Sequence, residues 1–171
     1  MTLGLQHNWF AVYCKYRCEK KVLDQLLKKD IKAYLPLYTK IRLYGTRKRK
    51  VELPLISNYV FVKINHTSYV QVLETNHVLN FVTFSNKPIP IPTEEIDLLK
   101  RIVGVPDLDI ITTNTTYEEG DLVEIISGNL TGLKGLLVEE HGVKNLKVNL
   151  NTLQQTLTII VDRKNIIKIN K

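Results

Sequence analysis

Apolar and polar positions change rhythm along this chain of 171 residues. Near the start, Trp9-Phe10-Ala11-Val12-Tyr13 is aromatic and β-branched, which favours a strand. In Glu19–Lys29, Val22, Leu23, Leu26 and Leu27 form one apolar stripe at helical spacing. Lys20, Lys21, Asp24, Gln25, Lys28 and Lys29 take the other faces. Tyr34–Leu43 reads as a strand, with Pro36 tolerable near its start. Tyr44–Lys50 reads as a basic loop around Gly45, and Asn58–Ile64 as a strong strand. Ser68–Thr75 is predicted as a short helix with Val70 and Leu73 inward, and Leu79–Phe84 as another strand. A last helix opens at Pro92, where Thr93 can cap it and Glu94 and Glu95 favour the positive end of its dipole. Ile96, Leu99, Ile102 and Val103 supply its stripe, and Pro106 ends it. The order β-α-β-β-α-β-α predicts an α/β sandwich, with helices packed on an antiparallel or mixed sheet.

Val105–Thr116 is rich in Asp, Thr and Asn, lacks helical periodicity and reads as a linker. Beyond it the rhythm is that of strands: Leu122–Ile126, Leu136–Glu139, Leu146–Leu150, Thr156–Val161 and Ile166–Ile169. Turns are expected after the first of these, at Gly142 and at Asn151-Thr152. Leu146, Val148 and Leu150 alternate with Lys147 and Asn149, the period of a half-buried strand. Leu157, Ile159 and Val161 alternate in the same way with Thr158 and Ile160. Short strands so closely spaced suggest a small closed barrel, because closure removes vulnerable edges. The expected division is a first domain over 1–104, a linker over 105–116 and a second domain over 117–171.

Composition narrows the class. Hydrophobic residues make up 44% and charged residues 24%, which excludes a disordered tail, a collagen-like repeat and a disulfide scaffold. No apolar run approaches the roughly 18 residues of a membrane-spanning helix. The opening Met1–His7 has no basic region followed by an apolar one, so no signal peptide is expected. Cys14 and Cys18 alone fit a reducing cytosol, and a cytoplasmic protein is expected.

The net charge of +7 is unevenly spread. Residues 1–106 carry 17 basic and 8 acidic side chains; residues 107–171 carry 7 and 9. Lys15–Lys50 alone holds 13 basic and 3 acidic residues. One half is suited to polyanions and the other is not, although charge alone is equally consistent with a merely soluble basic domain.

Catalytic chemistry finds little support. Cys14 and Cys18 have no second Cys/His pair to complete a zinc site, and His7, His66, His77 and His141 are scattered. No Gly-x-Ser-x-Gly elbow is present. Gly128–Lys134 lacks the Gly-Lys-Ser/Thr of a phosphate loop. No enzyme activity, metal or cofactor is expected.

Glu119–Gly135, with Gly120-Asp121, a short strand and then Gly128, Gly132 and Gly135 spaced four and three apart, resembles a KOW motif. These glycines would allow positive φ where strands of a tight barrel turn back. Upstream, Trp9–Tyr13, the basic-faced helix, Tyr34-Leu35-Pro36, Pro54–Val62 and Phe81–Phe84 resemble the N-terminal domain of the NusG family. The resemblance covers about residues 8–170 and implies an α/β sandwich N-terminal domain followed by an all-β, SH3-like KOW barrel. Tyr13-Cys14-Lys15, Tyr34–Leu37, Arg47–Lys50 and Lys87–Pro92 are more similar to the specialised RfaH-like and UpxY-like paralogs. That likeness implies an elongation factor riding on RNA polymerase, an operon-specific antiterminator that suppresses pausing and termination. In the UpxY branch the operons encode surface polysaccharides. A housekeeping NusG acting with Rho, and a KOW-bearing ribosomal RNA-binding protein, are the alternatives.

Within Asn58–Ile64, Val60, Val62 and Ile64 share one face, and Tyr59 and Phe61 the other. From the residues alone the second face either awaits a partner or is buried. The resemblance implies docking on the clamp helices of the polymerase β′ subunit by Tyr59 and Phe61, with Ile56 and Phe84 as companions. Ile56-Ser57 stands where relatives commonly have Phe-Pro. Lys15, Tyr16, Arg17, Lys20 and Lys21 match a surface that contacts the non-template DNA strand in RfaH-like proteins, with nascent RNA as the other candidate strand. Asn76 is a weaker contact candidate, and Arg47, Lys48, Arg49 and Lys50 a general polyanion contact. Ser68-Tyr69-Val70-Gln71 stands where RfaH-like proteins carry a His-Thr-Thr stretch that touches the β gate loop. The barrel is expected to recruit the ribosome or Rho, to remain a barrel rather than switch to helices, and the protein to be a monomer.

Overall fold

The structure, a computed structural model, describes residues 6–105, 110–114, 120–140 and 143–169. Residues up to Leu37 together with Ile56–Asp97 make one compact unit, and Tyr38–Leu55 with Leu98 onward make the other. The elements follow one another as β1 (Asn8–Cys14), α1 (Glu19–Lys28), β2 (Lys32–Tyr34), β3 (Leu37–Tyr44), β4 (Arg47–Pro54) and β5 (Tyr59–Ile64). A 3₁₀ turn (His66–Ser68) leads into α2 (Tyr69–Leu73), β6 (Val78–Phe81), β7 (Thr83–Phe84), β8 (Lys87–Pro88) and α3 (Thr93–Val103). Then come β9 (Ile110–Asn114), β10 (Asp121–Ile125), β11 (Lys134–Glu140), β12 (Val143–Leu150), β13 (Gln155–Ile160) and β14 (Ile166–Lys168).

In the first unit the sheet order is β2-β5-β1-β6. β5 runs antiparallel to β1, with Tyr13 opposite Tyr59, Ala11 opposite Phe61 and Trp9 opposite Lys63. The helical stripe of α1 buries Val22 and Leu26 with Val12, Val60, Val62 and Ile64, so one face of the sheet is core as expected. The other face is core as well at its centre: Trp9, Ala11 and Phe61 are buried. A strand that reads Val-Phe-Val without a polar break suits burial on both sides, because neither face is set aside for water.

Three local expectations are corrected. Tyr34–Leu43 is two strands, β2 and most of β3, split at the buried Leu35-Pro36, where proline cannot donate to a ladder. Tyr44–Lys50 is not a loop. β3 and β4 pair as a two-stranded ribbon turning at Gly45-Thr46, which puts Arg47–Lys50 on a strand. In the helix at Tyr69–Leu73, Val72 points inward and Val70 is exposed, because the helix is barely more than one turn and shows the core one narrow stripe.

In the second unit six strands are ordered β14-β10-β11-β12-β13-β9. The five expected strands are present, four within a residue or two, and β12 beginning three residues earlier than expected, at Val143. Leu146, Val148 and Leu150 are buried against the more open Lys147 and Asn149. On β13, Thr156 and Thr158 are buried with Leu157 and Ile159, so alternation is clean on β12 and absent here. The sixth strand, β9, lies within the expected linker and pairs antiparallel with β13. Its run of Ile110-Ile111-Thr112-Thr113 is β-branched throughout, a strand signal that the flanking Asp and Asn residues mask. The turn expected at Gly142 lies outside the described residues.

Candidate functional site

The site begins where β1 ends and β5 starts. The Cys14 N–H donates to the Asn58 carbonyl at 2.8 Å, and the Lys15 N–H to the His77 carbonyl at 3.0 Å. Arg17, Asn58 and His77 all have positive φ, at 57°, 68° and 74°. Such backbone is uncommon outside glycine, and three cases at one sheet end mark a locally strained junction. A buried carboxylate holds it: Glu19, in the first turn of α1, accepts the Asn58 N–H at 2.8 Å. The bend at Asn58 therefore has a fixed exit direction, and the first residue it delivers is Tyr59.

Tyr59 meets Tyr13 edge-to-face, with ring centroids 5.3 Å apart and planes at 70°. The Asn58 Nδ2 donates to the Tyr13 hydroxyl at 3.4 Å. Burial, and then the neighbouring Tyr13, push the Tyr59 hydroxyl pKa up. Tyr13 is 40% exposed and Tyr59 half-buried: a two-ring apolar rim with polar tips. Lys15, Tyr16, Arg17, Lys20 and Lys21 follow directly and are all exposed. The Arg17 guanidinium carbon lies 5.0 Å from the Tyr16 ring centroid, a cation–π contact that pre-orders both side chains. Asn76 is exposed beside His77, at the same sheet end.

The aromatic docking face is corrected at its centre. Phe61 has no exposed surface and Ile56 has 1%. Phe61 is flanked by Ala11 on one strand and Tyr34 on the other, and its ring lies 6.4 Å from that of Tyr34. Neither Phe61 nor Ile56 offers a surface in this conformation. Phe84 is 72% exposed on the separate β7–β8 pair. Tyr13 and Glu19 are the residues that sequence reasoning passed over. Tyr13 carried the period-two signal, two residues beyond the buried Ala11; Glu19 carried only the mark of being acidic in a basic stretch.

Arg47, Lys48, Arg49 and Lys50 are exposed along β4. The His-Thr-Thr stretch is absent at Ser68–Gln71, and the segment just before α2 reads His66-Thr67-Ser68. It forms the 3₁₀ turn before α2, and Asn65 Oδ1 accepts from both the N–H and the hydroxyl of Thr67, at 3.1 and 2.6 Å. In the second unit Gly120 precedes β10, and Asp121 pairs with Lys168 at 2.6 Å. Gly128 and Gly132 have positive φ as expected. Gly135 does not; there a Cβ would lie 2.6 Å from the Lys147 carbonyl oxygen, so close strand approach is what requires glycine. Among the described residues no three His, Cys, Asp or Glu side chains form a metal-sized cluster. No described helix is long and apolar enough to cross a membrane.

Residues 7–100 match the family described as transcription termination factor nusG. The transcription termination/antitermination protein NusG of Deinococcus radiodurans is 27% identical over 159 residues, covering 77% of this chain and 83% of that protein. Its Streptococcus pyogenes namesake is 28% identical over 164 residues, covering 88% of each. A solved structure concerning domain interaction in Thermotoga maritima NusG has the same fold, with a TM-score of 0.58 at 23% identity over 97% of this chain and 99% of that one.

Proposed function

This chain belongs to the NusG family of transcription termination and antitermination factors, and from that premise we propose that it is an operon-specific antiterminator. It binds RNA polymerase and suppresses pausing and termination, with a surface-polysaccharide operon as its target. The observation that carries the polymerase contact is the pairing of exposed Tyr13 with half-buried Tyr59 beside the Lys15–Lys21 surface, at one end of one sheet. Apolar rings with polar tips suit a helical hairpin, and adjacent cations suit a strand of nucleic acid emerging beside it. Tyr59 remains the clamp-helix anchor, joined by Tyr13; Phe61 and Ile56, both buried, are no longer among the contact residues. Phe84 is a separate apolar contact. We keep a first domain over 1–104 and a second over 117–171, and add to the second the β9 strand (Ile110–Asn114) that the expected 105–116 linker contains. For the last of these, the six-strand order and the glycine pattern support a KOW barrel that recruits the ribosome or Rho.

Polymerase pull-down with a Tyr13→Ala/Tyr59→Ala variant tests the anchor. Two central aromatic contacts at about 2 kcal/mol each predict a loss of several hundredfold, with the melting temperature nearly unchanged. Full retention of polymerase by the folded variant defeats the assignment. A housekeeping NusG is the second reading, favoured by the relatives, which carry the general name. Chromatin mapping separates the two: occupancy confined to one operon supports the specialised factor, and occupancy at most genes the housekeeping one.

A further inference from the structure

The far end of the first unit's sheet, where β1 begins at Asn8 opposite the last residue of β5, Ile64, holds two adjoining cavities. The first, about 560 Å³, has an aromatic wall of Phe10, Tyr69 and Phe81 and a polar border that includes Gln6, Asn8 and His66. The wall is preassembled: Tyr69 stacks on Phe81 at 4.5 Å and 15°, and Phe10 meets Phe81 edge-on at 6.1 Å. Among the described residues, no partner is seen for the side-chain amides of Gln6 and Asn8. The second cavity, about 440 Å³, is lined by Lys29, Lys32, Lys63 and His7, with Asp30 as its one carboxylate. Ile64 borders both.

The lysines are placed against the interest of the fold. Lys32 and Lys63 stand directly opposite each other on β2 and β5, and like charges in that position destabilise a sheet. Neither has an ion-pair or hydrogen-bond partner among the described residues. Lys29 is different: its ammonium donates to the Gln71 carbonyl at 3.1 Å and the Thr75 hydroxyl at 2.9 Å, which fixes that wall. An anion between Lys32 and Lys63 would remove the repulsion. A ligand that also needs a flat apolar wall and amides next to its anion is a nucleotide, with its base in one cavity and its phosphate in the other.

We propose that this sheet end holds one nucleotide of a single-stranded nucleic acid, its base against Phe10 and Tyr69 and its phosphate on Lys32 and Lys63. A base held in a duplex cannot reach the wall without leaving its stack. β1 is seven residues long, so the site lies about 20 Å of strand away from Lys15. It is separate from the basic surface there and does not depend on polymerase binding.

The test uses the full chain and fluorescein-labelled oligouridine and oligothymidine of about 12 nucleotides, followed by anisotropy. Relative to the parent, Lys32→Gln/Lys63→Gln is expected to bind about tenfold more weakly at about 50 mM salt, with the log–log salt slope reduced by about 0.7, the share of one phosphate. Its melting temperature should be equal or higher, because a like-charge pair has gone. Irradiated 5-bromouracil strands should crosslink to peptides containing Phe10 or Tyr69. Preference for uridine strands identifies a transcript as the occupant and preference for thymidine strands a displaced DNA strand; either supports the site. Unchanged affinity and slope in the folded variant overturns it, as does crosslinking confined to the Tyr16 peptide. Loss of polymerase retention with oligonucleotide binding intact also overturns it, and assigns the lysines to a protein contact.

Discussion

Replacing Phe61 by alanine separates a core residue from a docking residue. The ring is fully buried, with Ala11 and Tyr34 as its cross-strand neighbours. The small Ala11 cannot fill the space left behind, and Tyr34 is held by its own strand pairing. Removing a buried phenylalanine ring costs about 3–5 kcal/mol, from lost transfer energy and the residual cavity. Against a typical folding stability of about 5–15 kcal/mol this is a large fraction. In a chain of this size each kcal/mol moves the melting temperature by about 2–4 °C, so Phe61→Ala should melt about 6–20 °C lower. Phe84→Ala, at a ring 72% exposed, should stay within about 0.5 kcal/mol of the parent. Thermal and urea unfolding by circular dichroism measure both, and pull-down of polymerase at a temperature where all three proteins are folded then separates binding from stability. If Phe61→Ala melts within about 2 °C of the parent yet fails to retain polymerase, the ring is a docking group and the two-sided core is wrong.

Glu19→Ala strands the buried Asn58 N–H and should cost about 1–3 kcal/mol in urea unfolding, while Glu19→Gln, which keeps an acceptor oxygen, should restore most of it. Gly135→Ala forces a Cβ to within 2.6 Å of the Lys147 carbonyl oxygen and 2.9 Å of Leu146 Cδ1. Overpacking of about 1–3 kcal/mol should appear as faster hydrogen exchange along β11 and β12. Alkaline pH should destabilise the fold. Burial first, then the neighbouring Glu19 and Cys18, push the Cys14 thiol from 9.0 to about 12, and burial pushes Tyr34 from 10.0 to about 12. The unfolded chain loses these protons first, so stability is flat below about pH 9 and falls as pH rises from there to about 12. Urea midpoints at about pH 8 and pH 10.5 should differ for the parent, and differ less for Cys14→Ala.

The parts of the fold most legible in the sequence were those where one physical signal dominated. The α1 stripe of Val22 and Leu26, and the alternation of Leu146, Val148 and Leu150, name their own buried faces. β4 was missed because Arg47–Lys50 fill its first half with charge, and that exposed half has no buried face to write a period into the sequence. β9 was missed because Asp and Asn residues around it outweighed its β-branched run. At the candidate site the basic cluster could be read directly, since exposure is what charge predicts. The second face of β5 could not. Tyr59 and Phe61 share a face and a chemistry, yet one ends at the rim and the other at the centre. That difference depends on which residues lie opposite, and strand pairing is not written in the strand itself.

Burial on both faces has a consequence for recognition. A sheet with one open face can offer a broad apolar platform; here Trp9, Ala11 and Phe61 occupy that area with the chain's own core. What is left to a partner is the ends of the strands, and there the chemistry concentrates. At one end Arg17, Asn58 and His77 take left-handed backbone and Glu19 secures the bend that delivers Tyr59. At the other, Lys32 and Lys63 stand opposite each other in a cavity with one carboxylate, Asp30, in its lining. Both arrangements cost folding energy locally, and neither helps to close the core. The two-sided core supplies the rigidity that lets the ends bear this strain. It follows that changes at the centre of the sheet should act through stability, and changes at its ends through binding. Phe61→Ala and Tyr13→Ala/Tyr59→Ala are therefore opposite cases of one rule: the first should move the melting curve, and the second the polymerase pull-down.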